Sequence, residues 1–377
     1  MDKFISIIIP NYQGGATLET CLEAAFASRY KNFEVIVVDD CSEDNSVEVI
    51  KSLPCKLVQM DRHCGAAQAR NIGAAHSNGD ILFFTDADCI LQQDTLSIVS
   101  RTVSLTGANT VIGGSYTRIP FDNSFYSLFQ SVFINYSETR EERHPDYIAT
   151  HAMAIDAESF RKSGGFTEKF LPILEDVDFS HRLRRAGYSL VMNPAIQVQH
   201  IFNFSLYRSL RNAIRKSMYW TIYSLGNGDM FADSGAASIG LKTNVAAWFS
   251  TALFLLAFLL TGNSTFILPV PLILAINLFV NKGLLRAFYR TKGHLFALAA
   301  VSYYLLLYPT AVGIGALAGL ARYFTVSPKI TPESAILSER FLPSLPKQSS
   351  VISKRYYRQW FEGCLGKLGK KVQGKSG

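Results

Sequence analysis

"FEVIVVDDCSEDNSVEVIKSL", residues 33 to 53, decides the fold. Its β-branched run from Val35 to Val38 has no polar alternation, the pattern of a strand buried on both faces. It ends in Asp39 and Asp40, and helical spacing follows. The same unit stands just upstream: "FISIIIP" (4–10), the loop "NYQGG", then Leu18, Cys21, Leu22, Ala25 and Phe26 at helical intervals. Strand, helix, strand, helix within 53 residues predicts an α/β domain with a largely parallel sheet.

The alternation continues through "CKLVQM" (55–60), a helix "AAQARNIGAAHS" (66–77) and a strand "DILFFTDAD" (80–88). Farther on come the strand "TVIGGSY", a strand and short helix in "YIATHAMAIDAESFRKSGGF" (147–166), a helix beginning "EDVDF" and stopped by Gly187, and the strand "SLVMNPAIQVQH" (189–200). Ligands gather at the carboxyl ends of strands in such sheets. Three strands deliver polar groups there: Pro10, Asn11 and Tyr12; Asp39 and Asp40; Asp86 and Asp88.

The chain is 48% hydrophobic and only 18% charged, and charge thins out between 245 and 321. That shift predicts a soluble part followed by a membrane part. Residues 204–225, "FSLYRSLRNAIRKSMYWTIYSL", read as a basic, aromatic amphipathic helix, suited equally to a headgroup region or to the surface of a soluble domain. Runs 245–262 and 264–281 are expected to form a hairpin, and a third run, 294–321, is interrupted by Pro309. Lys282, Arg286, Arg290 and Lys292 place their loop, and with it the soluble domain, on the cytoplasmic face. The basic tail asks for the same side, so either the charge rule fails for this tail or one apolar segment is re-entrant or a broken pair of short helices. The expected division is 1–203 catalytic, 204–240 interfacial, 241–322 membrane with two to four helical segments, and 323–377 basic tail. The net charge of +7 then points to membrane lipids and not to nucleic acid. Six cysteines without metal spacing and no secretory signal fit a reducing, cytosolic soluble part.

In an extended chain Asp86 and Asp88 face the same way, and two carboxylates so placed suit Mg²⁺ or Mn²⁺; the rival reading is a solvated turn. Asp39 and Asp40 either cap the next helix or receive a nucleobase N–H. Arg70 either approaches phosphate or ribose or is an ordinary surface arginine. Glu175, Asp176 and Asp178, taken by themselves, favour the positive end of their helix.

Together "SIIIPNY", "VIVVDDCSEDNS", "GAAQARNIGAAHSNGDILFFTDAD", "GGF" and "EDVDFSHRLRRAGY" resemble the family 2 glycosyltransferases, inverting enzymes with the Rossmann-like GT-A fold, over about residues 4 to 200. The resemblance implies that Asp40 reads the base beside Pro10, Asn11 and Tyr12, with Asp39 supporting the loop. It puts Arg70 near the nucleotide, Asp86 at ribose and metal, and Asp88 on the metal at the diphosphate. Asp176 matches the base that deprotonates the acceptor, with Glu175 its neighbour. His200 matches a third metal ligand or phosphate contact, against a structural histidine, and His151, which departs from the family's small or amide residues, stands where donor sugar or acceptor is touched. Processive synthases carry a QxxRW-like motif that "HRLRR" is not, so single addition is expected, from a UDP, GDP or dTDP sugar to a lipid-linked or glycan acceptor. The alternative is a transport or flipping component with a catalytically silent GT-A domain.

Overall fold

In the computed structural model residues 3–326 are described, apart from 108, 169 and 170. The expected basic tail lies outside the described residues from 327 onward. The chain begins β1 (Ile5–Asn11), α1 (Gly15–Phe26), β2 (Phe33–Asp39), α2 (Ser46–Lys51), β3 (Lys56–Gln59), α3 (Ala66–Ala75), β4 (Ile81–Phe84) and β5 (Cys89–Leu91). It continues with α4 (Thr95–Thr106), β6 (Thr110–Tyr116), α5 (Phe125–Thr139), β7 (Met153–Asp156), α6 (Ala157–Lys162), α7 (Glu175–Arg185) and β8 (Ser189–His200).

These strands form one sheet in the order β3-β2-β1-β4-β7-β6-β8-β5. The expected parallel pairing holds from β3 to β4. Beyond it the sheet is mixed: β7 is antiparallel to β4 and β6, and β5 is antiparallel to β8. The apolar runs explain the centre. Ile5, Ile7, Ile8, Ile9, Val35 to Val38, Phe83 and Phe84 are all buried, because helices cover both faces.

Two registers position polar groups. In β1 and β2, Asn11 lies beside Asp39 at the carboxyl edge. In β5 and β8, Cys89 pairs with His200, which brings Asp88 to the same place. The strand expected over 80–88 ends at Phe84, however. Asp86 and Asp88 sit in the turn into β5, closed by the Cys89 N–H donating to the Asp86 carbonyl at 3.1 Å, so extended i, i+2 geometry does not apply to them.

The apolar part comprises α8 (Leu206–Asn227), α9 (Ile239–Thr261), α10 (Pro269–Val280), α11 (Lys282–Leu306) and α12 (Tyr308–Val326). Two stretches, Ile239–Thr261 and Lys282–Thr325, are long and apolar enough to cross a membrane. Only 11% of the most apolar window of α9 is buried inside the protein, and Leu253, Leu256, Leu259 and Leu260 are exposed. A soluble core helix hides such a face, so α9 suits lipid. The run 264–281 departs from the expected span: Pro269 and Pro271 can only start a helix, leaving α10 with 12 residues, about 18 Å long. The helix α11 is broken at Lys292 and Gly293, and Pro309 sits in the first turn of α12.

Several polar groups among these helices are paired with one another. The Asn244 amide donates to the Tyr304 carbonyl at 2.7 Å, the Asn277 amide to Asn244 Oδ1 at 2.8 Å, and the Tyr304 hydroxyl to Asn281 Oδ1 at 2.9 Å. The expected amphipathic helix is α8, and α12 packs on it through "GALAG", residues 315–319. A Cβ on Gly315 would collide with the Ile214 carbonyl and Ser217, and one on Gly319 with the Met218 carbonyl. Small residues at four-residue spacing let two helix backbones approach in this way.

The nature of the obstacle sets the cost of filling these glycines. At Gly315 it is α8 backbone, whereas at Gly313 it is the ring of Phe249, which is 42% exposed. Gly315→Ala is expected to lose stability by about 1–3 kcal/mol, as overpacking does. Gly313→Ala is expected to lose less, since the ring can swing aside. Thermal unfolding of the two variants in detergent orders them; equal losses would contradict the close α8–α12 contact.

Candidate active site

A cavity of about 880 Å³ opens at the carboxyl edge of the sheet. Its wall includes Pro10, Asn11, Tyr12, Asp40, Arg70, Asp86, Asp88, Glu175 and His200, drawn from every strand end singled out above. Asp39, Asp176 and His151 do not line it.

On one side the loop after β1 meets the loop before α3. Asp39 is buried and holds that edge together, accepting from the Asn11 amide at 2.8 Å and the Ser42 N–H at 3.0 Å. Asp40 accepts from the N–H groups of Cys64 and Gly65, each at 2.7 Å, and has His63 Nδ1 at 2.9 Å. Both its oxygens are therefore engaged by the 63–65 loop. Gly65 has φ of +96°, a conformation that favours glycine. Tyr12 packs against His63 with ring centroids 4.0 Å apart and the planes tilted by 31°, and it is half exposed on the cavity wall.

At the centre Arg70 is buried and is no surface arginine. Its guanidinium donates to Asp86 at 2.6 Å and to Glu175 at 2.5 Å. The turn after β4 is thereby tied to the first turn of α7. Burial raises the cost of charge on Asp86, but Arg70 outweighs it and holds this carboxyl below its usual range.

The two acids after β4 have different surroundings. Asp86 faces Arg70, whereas Asp88 Oδ2 lies 3.5 Å from His200 Nε2. Burial and the charge of Asp86 push Asp88 up to about 7. His200 is pushed down to about 3, chiefly by burial, so it is a neutral imidazole at neutral pH and able to ligate. The Asp88 carboxylate, Cys89 Sγ and His200 lie within 4.8 Å of one another. Cys89 is buried, and burial with the two aspartates keeps its thiol protonated, which leaves a carboxylate and an imidazole as the donors. Buried His200 Nδ1 has no hydrogen-bond partner among the described residues. One oxygen and one nitrogen donor at an open cavity, with room for water and phosphate, fit Mg²⁺ or Mn²⁺.

Asp176 begins α7 beside Glu175, its Oδ1 accepting from the Val177 N–H at 2.9 Å. Burial and the Glu175 charge push it up to about 7. Leu174, just before it, has φ of +77°. The other non-glycine residues with positive φ among those described are Gln13, Cys41 and Asn203. They follow Tyr12, Asp40 and His200 closely, so backbone strain concentrates at this edge, as at many functional sites.

His151 lies one layer deeper. Its ring stacks on Tyr116 at 4.0 Å, and Nε2 is 3.3 Å from Glu138 Oε2. Burial works against charge on this ring, but Glu138 outweighs it and raises its pKa. Tyr116 presents its edge to His200 at 4.8 Å. Tyr116 and Glu138, which flank His151, and Arg215, which reaches the cavity wall from α8, were not foreseen. The glycine-containing "HCGAAQAR" at the start of the arginine helix marked the 63–65 loop in the sequence; nothing distinguished Arg215 from its basic neighbours.

Removing one partner of a buried ion pair leaves an uncompensated charge. Arg70→Met is therefore expected to destabilise the fold by about 3 kcal/mol or more. Asp86→Asn in the Arg70→Met background is expected to recover part of that loss. A denaturant double-mutant cycle measures the coupling, and additive losses would disprove the pairing.

Comparison with known proteins shows what the chain is similar to. Residues 6–164 match the family model described as glycosyl transferase family 2. Glycosyltransferase GlyG of Streptococcus pneumoniae serotype 4 is 31% identical over 131 residues, 33% of this chain and 44% of that protein. An uncharacterized glycosyltransferase of Haemophilus influenzae is 31% identical over 182 residues, 48% of this chain and 61% of its own length. The chain thus spans less than two thirds of the first curated relatives it matches. Among solved structures, the mannosyltransferase PcManGT from Pyrobaculum calidifontis, in complex with GDP-Man and Mn²⁺, aligns with 86% of this chain and 88% of that one at a TM-score of 0.52 and 16% identity. The sheet and its flanking helices are a GT-A fold, and residues 6–164 of it are similar to glycosyl transferase family 2.

Proposed function

We propose that this chain is a membrane-bound inverting glycosyltransferase that moves one sugar from a nucleotide diphosphate sugar to a lipid-linked or membrane-proximal glycan acceptor. The observation that carries the reading is the convergence on one cavity of the Asp88–His200 pair and, across the Arg70 bridge, Glu175, the neighbour of Asp176 at the start of α7. Tyr12 and the Asp40-anchored loop would hold the base, with a UDP, GDP or dTDP donor. Asp88 and His200 would hold the metal; when bound, Mg²⁺ or Mn²⁺ neutralises charge on the departing diphosphate. The similar fold solved with GDP-Man and Mn²⁺ supports this class of donor and cofactor.

Asp176 takes the proton of the acceptor hydroxyl as its oxygen bonds to the anomeric carbon. The bond from that carbon to the diphosphate oxygen breaks on the opposite face, inverting the centre. A carboxyl raised to about 7 is a far better base than an ordinary aspartate while remaining largely ionised just above neutrality. Arg70 holds Glu175, and so the start of α7, in place without entering the proton transfer. The apolar stretches 239–261 and 282–325 support a membrane location, and the cations of α11 a cytoplasmic catalytic face.

Asp176→Asn is expected to lower transfer by on the order of a thousandfold while preserving donor binding. Since only the carboxylate accepts the proton, wild-type kcat/KM is expected to fall as pH drops below about 7 and to level off above it. Retained transfer in Asp176→Asn refutes the assignment. Asp88→Ala is expected to abolish the Mn²⁺-dependent thermal stabilisation by UDP, GDP or dTDP sugars; unchanged stabilisation would remove Asp88 from the metal. A wild type that consumes no nucleotide sugar with any donor and metal would favour a silent binding domain.

A further inference from the structure

Arg70 and Arg215 are the two arginines in the cavity wall, and their situations are opposite. Arg70 is buried and spent on Asp86 and Glu175. Arg215 is exposed and has no ion pair or hydrogen bond to a described residue. It comes from α8, outside the sheet domain's own strands and helices, and enters the wall that holds His200 and Ile201. The next residue, Lys216, acts electrostatically on the His200 imidazole, so the cationic face of α8 adjoins the Asp88–His200 pair.

Among the described wall residues the other charged groups are the carboxylates of Asp40, Asp86, Asp88, Glu168 and Glu175. Arg70 is already paired with Asp86 and Glu175, so a phosphate entering there finds in Arg215 the uncommitted guanidinium, with a forked pair of donors. The side chain is also fixed at its root. Ile214, one residue back, has its carbonyl against Gly315 of α12, and Ser217 lies against the same glycine. Arg215 is thus a cation presented to the cavity by the helix that packs on the apolar segments.

We infer that Arg215 binds a phosphate group in this cavity, borne either by the nucleotide donor or by the acceptor. The inference rests on the glycosyl-transfer reading above and names a recognition element for it. The two sources share chemistry but differ in partner: a donor diphosphate would bridge Arg215 to the metal pair, and an acceptor phosphate would arrive along α8.

Purified full-length wild type, Arg215→Ala and Arg215→Lys are compared in nanodiscs by calorimetric titration, with Arg101→Ala on α4 as a control for loss of one exposed charge. The donor-side probes are UDP and GDP with Mn²⁺; the acceptor-side probe is dodecyl phosphate, with dodecanol as its uncharged counterpart. Arg215→Ala is expected to weaken one phosphate probe about tenfold, the scale of one charge-assisted contact. Arg215→Lys should recover part of it, and dodecanol and the Arg101→Ala variant should show no change. Weakened nucleotide binding assigns the donor, and weakened dodecyl phosphate with intact nucleotide binding assigns the acceptor. If wild type binds the probes and Arg215→Ala binds them equally well, the inference is overturned while the proposed function stands. If wild type binds neither nucleotide nor alkyl phosphate, both fall.

Discussion

The buried guanidinium of Arg70 is the constraint on which the site depends. Its desolvation is costly, and a group that never deprotonates in proteins can offset that only through partners. Asp86 at 2.6 Å and Glu175 at 2.5 Å are those partners, one after β4 and the other at the start of α7. Their chain separation is large, so this three-residue contact closes the sheet edge over a loop that short-range preferences cannot fix. It also sorts the acids. Asp86 is neutralised within the protein, while Asp88 and Asp176, each next in line, are left with raised pKa values and their chemistry unspent.

Strain and rigidity divide the labour around that centre. Gln13, Cys41, Leu174 and Asn203 adopt left-handed backbone at the cavity edge, which disfavours each by roughly 1–3 kcal/mol. Such conformations persist where their surroundings leave no alternative. For Gln13 and Cys41 the surroundings are the ends of β1 and β2, buried through most of their lengths, with Asn11, Asp39 and Ser42 cross-linked at the edge. The sheet is thus the scaffold that lets short polar loops hold awkward shapes.

The same division explains what was legible in the sequence. Runs such as Val35–Val38 state both strand and burial, and acids at their ends state the edge where a site forms. Asp88 and His200 were each visible, but their meeting depends on β5, three residues long and without a pattern of its own. Arg70 sits in a helix of small residues, and nothing local says that Ala69 and Arg70 alike are buried. His151 was visible as an unusual residue, whereas its depth follows from stacking on Tyr116 and facing Glu138 of α5, both set by tertiary structure. The short α10 could be read directly, since Pro269 and Pro271 lack the N–H groups a helix interior requires.

The apolar helices are joined to the sheet domain by packing, and this bears on how their placement is passed to the cavity. Phe129 of α5 stacks on Phe288 of α11 at 5.3 Å and meets Tyr303 edge-on at 4.8 Å; Phe133 of the same helix lies 5.7 Å from Tyr308. That helix also carries Glu138, the partner of His151 beneath the Asp88–His200 pair. A second route runs from α12 through Gly315 into α8, one residue from Arg215. Two independent contacts therefore fix the cavity relative to the apolar segments, one beneath the Asp88–His200 pair and one at the Arg215 wall.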